Sequence, residues 1–377
     1  MNAKNAVAFS NLLCYNKNNK ISYVCKRRRI VKTITSVELA KLAGVSQSTV
    51  SRCLNDSPLV SEETKARVKK IAAEYSFQFN TNARGLKTNR TGVVGYIFSE
   101  DFTGFANHYI QSDLYYRIRM QLLHENLDVV PVFDDRTQED QSAVEKSISN
   151  RRFDALIFNR PQVNDRVRNL LQETRIPYIF IYDTNEVSEE PFMIAPHHTE
   201  IGRLAGDAFC RAGYERFVEL TGPSQRIDVV HKHTGFTEAL RRHGFGLPPS
   251  HILCADYHLE QATEQTLAHI ELFQPGTACF AQNDLMALGV IEALRQKQLR
   301  VPEDVAIIGA DNIAMGTWFH PQLTTVAVDY DRIIELTVDW VLAMTEGRSL
   351  ATYRYLLDSE LVIRDTFVPP SQSGSIK

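Results

Sequence analysis

The sequence predicts an all-α N-terminal unit of short helices, followed by an α/β body made of two lobes. Charge divides the chain, since residues 1–90 hold 17 Lys and Arg against 5 Asp and Glu, whereas residues 91–377 hold 25 against 40. Helical spacing of apolar residues occurs in short stretches of the basic part. In the acidic part, apolar runs alternate with amphipathic stretches, which predicts doubly wound parallel sheets. That part is longer than one typical sheet unit, so we expect two lobes around a cleft.

Composition excludes several classes of protein. The chain has 377 residues and a hydrophobic content of 44%, which suits a globular protein with a buried core. No run of 18 apolar residues occurs, and residues 1–25 lack the apolar block of a secretory signal, so we expect no membrane association. The six cysteines form no CxxC pair, which indicates free thiols of a cytoplasmic protein and no metal cage.

The basic part begins with residues 1–32, which we expect to be an irregular basic extension. Helices are predicted after it. Thr35 and Glu38 have the spacing of a capping box, and Gly44 ends the helix that they begin. Ser46 can cap a second helix over 47–54. Ser61 can cap a third that reaches about residue 75. Three short helices with a tight glycine-containing turn form a helix-turn-helix unit.

The body is predicted to alternate strands with helices. Predicted strands cover 93–98, 129–133, 155–158, 178–182, 216–220, 278–281 and 305–308. Predicted helices cover 106–126, 198–212, 231–243, 260–272, 284–296 and 329–346.

The second predicted helix carries side chains suited to reading DNA. In a helix-turn-helix, residues near the start of this helix meet base edges in the major groove. These are Gln47 and Ser48, with Arg52 one turn further along; Gln suits adenine, Arg suits guanine and Ser suits either. Short hydrogen-bonding residues that could meet phosphates are Thr49, Ser51, Asn55 and Ser61. The alternative is an ordinary polar surface helix, but the glycine turn, the caps and the spacing together favour DNA binding.

Several segments resemble the LacI/GalR family of bacterial repressors. VELAKLAGVSQSTVSRCLN (37–55) resembles the family's DNA-binding motif, and VSEETKARVKKIAAEYSF (60–77) resembles its third helix. AQNDLMALGVIEAL (281–294) and VPEDVAIIGADN with HPQLTTV (301–326) resemble its body. The resemblance implies a DNA-binding domain followed by a two-lobed effector domain of the type I periplasmic-binding-protein-like fold. The implied divisions are an extension (1–32), the helix-turn-helix domain (33–78), a hinge (79–91), the effector domain (92–367) and a flexible tail (368–377).

The family's base-contact positions fall on Gln47, Ser48 and Arg52. FNTNARGLKTNRTGVVGYIF (79–98) resembles its hinge and the entry to its body. The resemblance implies that Leu86 wedges between base pairs in the minor groove, where an apolar side chain can kink DNA. The alternative is an unremarkable exposed linker residue. The implied minor-groove set is Asn82, Ala83, Arg84 and Leu86.

The resemblance also implies a small-molecule effector in the cleft. Asn283 and Asp311 each follow a predicted strand and match ligand-contact positions of the family, and their amide and carboxylate suit sugar hydroxyls. A helix N-cap is an equally plausible role for Asn283. Further candidates for the effector site are Lys232, Asn159, Asp183, Phe105 and Trp318. For the last two, core packing is the alternative.

These patterns predict a transcriptional regulator, a repressor by resemblance, whose affinity for a palindromic DNA operator is controlled by a sugar or sugar derivative. The predicted assembly is a homodimer, and no cofactor is expected. A sugar-transport protein would not explain residues 35–90. An enzyme is not favoured, because GxSxG, P-loop and GxGxxG motifs are absent. Since family members begin near the position of Thr33, residues 1–32 are either a misassigned start or a disordered basic arm.

Overall fold

The computed structural model describes residues 11–15, 21–25, 34–54, 56–75, 77, 90–98, 102, 108–133, 142–159, 163–182 and 190–368. The chain divides into two compact units, residues 1–88 and residues 89–377. In the part of the chain that is described, no helix is long and apolar enough to span a membrane.

The interpretation of residues 1–32 as irregular is wrong for two segments. Strand β1 (Asn11–Tyr15) pairs antiparallel with β2 (Ile21–Cys25), with Leu13 opposite Tyr23. Both segments contain apolar or aromatic residues of high strand propensity, a signal that the asparagine-rich surroundings obscured.

Deleting residues 1–32 should leave the thermal unfolding midpoint of the protein unchanged, because the hydrophobic core of the helical unit is built from residues 39 onward. Differential scanning calorimetry of the full and shortened chains measures this. A fall of several degrees would show that the hairpin packs on a folded unit.

The three predicted helices of the first unit are confirmed. They are α1 (Ser36–Ala43), α2 (Gln47–Leu54) and α3 (Glu62–Glu74). Thr35 and Glu38 form the capping box at the start of α1, and Gly44 ends α1 in the left-handed conformation with φ of 64°. Ser61 caps α3 through the backbone N–H of Thr64. Leu39, Val50, Cys53 and Val68 are fully buried between the helices.

The first lobe of the second unit is a six-stranded parallel sheet. Its strands, in spatial order, are β13 (Tyr353–Leu357), β7 (Phe192–Pro196), β6 (Tyr178–Ile181), β5 (Ala155–Asn159), β3 (Val93–Phe98) and β4 (Asp128–Val132). The helices that belong to it in chain order are α4 (Tyr109–His124), α5 (Ala143–Ser149), α6 (Asp165–Thr174) and α11 (Tyr330–Thr345).

The second lobe repeats this plan with one antiparallel edge. Its strands, in spatial order, are β14 (Ser359–Val362), β12 (Thr325–Val328), β11 (Val305–Ala310), β10 (Thr277–Ala281), β8 (Arg216–Thr221) and β9 (Ile252–Cys254). Its helices are α7 (His198–Arg211), α8 (Ile227–Arg242), α9 (Leu259–Ala268) and α10 (Asp284–Gln296). Only β14 runs antiparallel to its neighbour among the strands of the two lobes.

The chain crosses between the lobes three times. It passes from β7 to α7 at His197, from β12 to α11 at Asp329, and from β13 to β14 at Asp358. The first and third crossings touch, because the backbone N–H of His197 donates to the carbonyl of Leu357 over 3.0 Å. Each lobe is therefore completed by segments that are distant in sequence.

Helices α7 and α8 pack closely through glycine. A Cβ atom on Gly202 would lie 1.9 Å from the carbonyl oxygen of Lys232, and one on Gly235 would lie 1.8 Å from that of Thr199. This approach fixes the position of α8, whose first turns face the space between the lobes.

Several predicted boundaries differ from the structure. Helix α8 begins at Ile227 rather than at 231, which brings Asp228 into its first turn. The predicted helix 260–272 is wrong at its end, because α9 stops at Ala268 and a short 3-10 helix covers Ile270–Leu272. Strands β7, β9 and β12–β14, and helices α5 and α6, were not predicted. Most of these are short, and β13 is largely exposed, so its apolar signal is weak.

Candidate functional sites

The outer face of α2 carries the predicted base-reading residues. Gln47, Ser48 and Arg52 are exposed, whereas Val50 and Cys53 point into the helical core. Ser48 and Arg52 lie four residues apart and so share one helix face. The helix therefore separates a packing face from a polar face that a DNA groove could accept.

The start of α2 is held by short polar contacts. The Ser46 hydroxyl accepts the backbone N–H of Thr49 over 3.1 Å and lies 2.8 Å from the hydroxyls of Ser48 and Thr49. The Gln47 amide donates to the Ser36 hydroxyl over 2.8 Å. These bonds fix the end of α2 that would enter the groove.

Three of the predicted phosphate contacts lie among the described residues of this unit. Thr49 and Ser51 are half-buried on α2, and Ser61 caps α3. Asn55 and the hinge positions Asn82, Ala83, Arg84 and Leu86 lie outside the described residues.

A cleft lies between the lobes of the second unit. It encloses an empty volume of about 540 Å³, including space open to solvent. The first lobe contributes His108, Tyr109, Ile110, Gln111 and Tyr182; the second contributes Arg226, Asp228, Lys232, Tyr257, Asn283, Leu285, Asp311 and Ile313. A concave site that combines aromatic and aliphatic side chains with convergent polar groups is typical of small-molecule sites.

Asp311 lies at the carboxyl end of β11 with its side chain in the cleft. Its backbone has φ of 105°, and its N–H donates to the carbonyl of Val326 over 3.0 Å. The Tyr330 hydroxyl donates to Asp311 Oδ1 over 2.9 Å. Because Tyr330 begins α11 in the first lobe, this bond joins the two lobes. Burial raises the pKa of Asp311 to about 6, while nearby Lys232 and the Tyr330 hydrogen bond oppose the rise.

Asp284 holds the loop that carries Asp311. Its Oδ2 accepts the backbone N–H of Ile313 over 2.8 Å, and its Oδ1 accepts the Thr325 hydroxyl over 2.6 Å. Burial, and then the charge of Asp311, raises the pKa of Asp284 well above its usual range. A Cβ atom on Gly309 would lie 2.3 Å from Asp284 Oδ1, so glycine is required to admit this carboxyl group.

Arg226, Asp228 and Tyr257 form a linked group on the second lobe. Arg226 Nε donates to Asp228 Oδ1 over 3.0 Å, and the Tyr257 hydroxyl donates to Asp228 Oδ2. Burial opposes ionisation of Asp228, but Arg226 and Lys232 outweigh it and hold its pKa below the usual range. A Cβ atom on Gly222 would lie 2.4 Å from the Tyr257 ring, so a small residue is needed there.

A second contact between the lobes involves His198 on α7. Its Nε2 lies 3.3 Å from the carbonyl oxygen of Tyr182, so Nε2 must carry the proton for a hydrogen bond. Burial, and then the charge of Lys232, lowers the pKa of His198 to about 3. The ring is therefore neutral at physiological pH. Tyr182 has φ of 56° and its ring centroid lies 5.9 Å from that of Tyr330.

The structure brings three of the predicted effector-site residues, Asn283, Asp311 and Lys232, together in the lining of the cleft. Asn283 also caps α10, because its Oδ1 accepts the backbone N–H of Met286 over 2.9 Å.

Two other predicted residues do not line the cleft. Asn159 is fully buried away from the cleft lining, where its amide donates to the Tyr96 hydroxyl over 3.0 Å. Trp318 is 72% exposed, so core packing is the wrong interpretation for it, and it does not line the cleft.

Phe105 and Asp183 lie outside the described residues. Sequence reasoning missed Arg226, Asp228, Tyr257 and Tyr330. A usable signal existed for the first two, since they closely follow the carboxyl end of β8, the edge where ligands of such sheets bind.

Comparison with known proteins finds a matching family model for each of the two units. The model of the lacI family of bacterial regulatory proteins matches residues 35–80, and that of the periplasmic binding protein-like domain matches residues 207–367. A probable HTH-type transcriptional repressor, ExuR of Bacillus subtilis (strain 168), is 26% identical over 338 residues, which cover 88% of this chain and 98% of the relative. The ribose operon repressor of Escherichia coli (strain K12) is 26% identical over 333 residues, with the same coverage.

Solved structures agree with the matches to family models and relatives. The lac repressor dimer bound to operator and the anti-inducer ONPF superimposes with a TM-score of 0.76 at 25% identity, over 89% of this chain and 99% of that one. The relatives are transcriptional repressors rather than enzymes. The helix-turn-helix with its capped, outward-facing α2, joined to a two-lobed α/β body, is therefore a DNA-binding regulator, and the chain belongs to the lacI family of bacterial regulatory proteins.

Proposed function

We propose that a sugar or sugar derivative binds in the cleft between the lobes and changes the affinity of α2 for its operator. The observation that carries this is the position of Asp311. Its carboxyl group faces the cleft from the second lobe and at the same time accepts a hydrogen bond from Tyr330 of the first. A ligand hydroxyl that binds Asp311 either competes with the Tyr330 hydroxyl for this carboxyl group or binds beside it. In both cases the ligand acts on a contact between the lobes.

Coupling requires that the ligand bind two states of the protein unequally. Opening or closing of the cleft supplies two such states, because the lobes are joined at three crossings and touch through Tyr330 and His198. The related ribose operon repressor is named for a sugar-related operon, which favours a carbohydrate here.

On the DNA side, we propose that Gln47, Ser48 and Arg52 read bases. Backbone contacts are assigned to Thr49, Ser51, Asn55 and Ser61, and minor-groove contacts to Asn82, Ala83, Arg84 and Leu86. A regulator that binds the chromosome works in the cytoplasm, on the nucleoid.

The dimer that binds two half-sites is proposed to use the outer face of α4. Tyr116 and Leu123 are exposed and lie seven residues apart, so they form an apolar stripe on one face of this helix. Trp318 and Phe319 add exposed aromatic surface on the second lobe. Twofold pairing repeats each patch on the partner copy.

Tyr116→Glu should convert dimers into monomers at micromolar concentration, because it places a charge within an apolar interface. Sedimentation velocity measures this, with Tyr355→Glu as a control at another exposed tyrosine of the same lobe. Equal sedimentation of both variants and the wild type as dimers would contradict the assignment of α4.

Titration of operator DNA with and without a panel of sugars tests the proposed function. We expect at least one compound to shift operator affinity by about 5- to 150-fold, and saturating operator to shift the affinity for that compound by the same factor. Leu86→Ala should weaken operator binding and leave sugar affinity unchanged without DNA. A sugar that binds the cleft tightly but leaves operator affinity unchanged would reduce the cleft to a passive pocket.

A further inference from the structure

Lys232 presents a buried positive charge to the cleft. Its side chain is on α8, only 2% exposed, and lines the cleft. The ammonium donates to the backbone carbonyl of Gln282 over 3.0 Å and lies 5.7 Å from the centre of the Tyr257 ring. Among the described residues, no carboxylate oxygen lies within 4.0 Å of it. A buried ammonium has three donors, and these contacts leave some of them without an acceptor.

The neighbouring charges do not satisfy this ammonium. Asp228 accepts from Arg226 and Tyr257 through its two oxygens. Asp311 accepts from Tyr330, and its carboxylate is not in ion-pair contact with Lys232. A charge removed from water is costly unless it is paired, so the cleft is better completed by an anionic group at Lys232.

The Lys232 contact is held in place by a buried network. The Gln282 side chain donates to Glu219 Oε1 over 2.8 Å and to the carbonyl of Val229 over 3.2 Å. The other Glu219 oxygen lies 2.6 Å from His233 Nδ1. Both Gln282 and Glu219 are fully buried. The backbone carbonyl that receives the ammonium is therefore anchored, and Lys232 is directed at a fixed point of the cleft.

We propose that the effector is a sugar acid, with its carboxylate bound to Lys232 and its hydroxyl groups bound to Asp311 and Asn283. The inference rests on the proposed function and makes its ligand class specific. An ammonium suits a compact anion, whereas a carboxylate and an amide suit hydroxyl groups. The same cleft therefore distinguishes the two ends of one ligand.

Isothermal titration calorimetry of the full-length protein at neutral pH tests the assignment. The probes are D-glucuronate, D-galacturonate and D-gluconate, with D-glucose, D-galactose and the methyl ester of galacturonic acid as neutral partners. We expect at least one acid to bind at least 100-fold more tightly than its neutral partner. Lys232→Met should reduce the affinity for that acid at least tenfold, and Lys232→Arg should retain most of it.

The comparison of acid with neutral partner uses the wild-type protein, so it stands even if Lys232→Met fails to fold. Equal binding of acid and neutral partner, binding of neutral sugars alone, or binding of none of the acids would overturn the inference. Operator release is measured separately. Neutral sugars that release operator would support the proposed function and overturn the sugar-acid inference. Acids that bind the cleft without affecting operator binding would support the sugar-acid inference and contradict the proposed function.

Discussion

Replacing Arg52 with alanine is expected to cost the dimer roughly 2–6 kcal/mol on its best operator, because each of two copies loses its proposed base contact, and such a contact is worth about 1–3 kcal/mol. Arg52 is exposed on the face of α2 that also carries Ser48, and its removal leaves the buried residues Val50 and Cys53 in place. The helix should therefore stay folded while base preference at one position of each half-site is relaxed.

The measurement is fluorescence anisotropy on a selected operator and on its single-base variants, at one fixed salt concentration. Arg67→Ala, at an exposed arginine of α3, is the matched control for loss of one positive charge. It should weaken binding modestly and equally on every sequence. If Arg52→Ala behaves in the same way as Arg67→Ala, then Arg52 contacts the backbone and does not read a base.

Asp311→Asn is expected to remove the ligand response and to stabilise the protein without ligand. An ionised carboxylate accepts from ligand hydroxyls through both oxygens, and hydrogen bonds to charged groups contribute about 1.5–3 kcal/mol, so affinity should fall by roughly 10- to 100-fold. The amide oxygen can still accept from Tyr330. At neutral pH the variant should be more stable by up to about 3 kcal/mol, since burial raises the pKa of Asp311 from 3.8 to about 6.

The sign of this effect follows from proton binding. Between pH 4 and pH 6 the folded protein holds a proton on Asp311 that the unfolded chain has released, so this group stabilises the fold below pH 4 and loses that contribution as pH rises through 6. The charged and titratable groups that face it are Lys232 and Asp228 from α8, Asp284 from α10 and Tyr330 from α11.

Urea unfolding of wild type and variant at pH 4.5 and 7.5 measures the difference. The stability gain should be present at pH 7.5 and small at pH 4.5. Asn283→Ala is not a suitable control because it removes a helix cap. Asp358→Asn is suitable, because Asp358 is exposed at the third crossing and does not line the cleft. An equal gain at both pH values would contradict the raised pKa of Asp311.

The sequence was most informative where local chemistry decides local structure. The capping box at Thr35, the left-handed cap at Gly44 and the cap at Ser61 each depend on residues within a few positions, and all three are present. Helix α10 was predicted to the residue, and the ends of the other long helices of the body were predicted to within four residues. The hairpin of β1 and β2, and strands β13 and β14, depend on pairing with segments that the local pattern does not reveal.

The cleft was predictable only in part for the same reason. Asp311 and Asn283 follow strands and could be placed at the ligand edge of a sheet from order alone. The pairing of Asp228 with Tyr257 depends on residues 29 apart, and that of Asp311 with Tyr330 depends on an element of the other lobe. Asn159 occupies the expected strand end, but its side chain turns towards Tyr96, a choice that packing makes.

The contact between the crossings at His197 and Leu357 limits how the lobes can move. Two adjacent chain segments joined by a hydrogen bond act as a short ribbon, which resists shear and twist within its own plane and bends most easily out of it. The second crossing, at Asp329, further restricts sliding of one lobe along the other. The six rigid-body degrees of freedom of one lobe relative to the other are thereby reduced towards a single bending motion. Ligands of different shape then bend the lobes by different amounts in the same direction. The backbone fixes the direction of the lobe motion, and the ligand sets its extent.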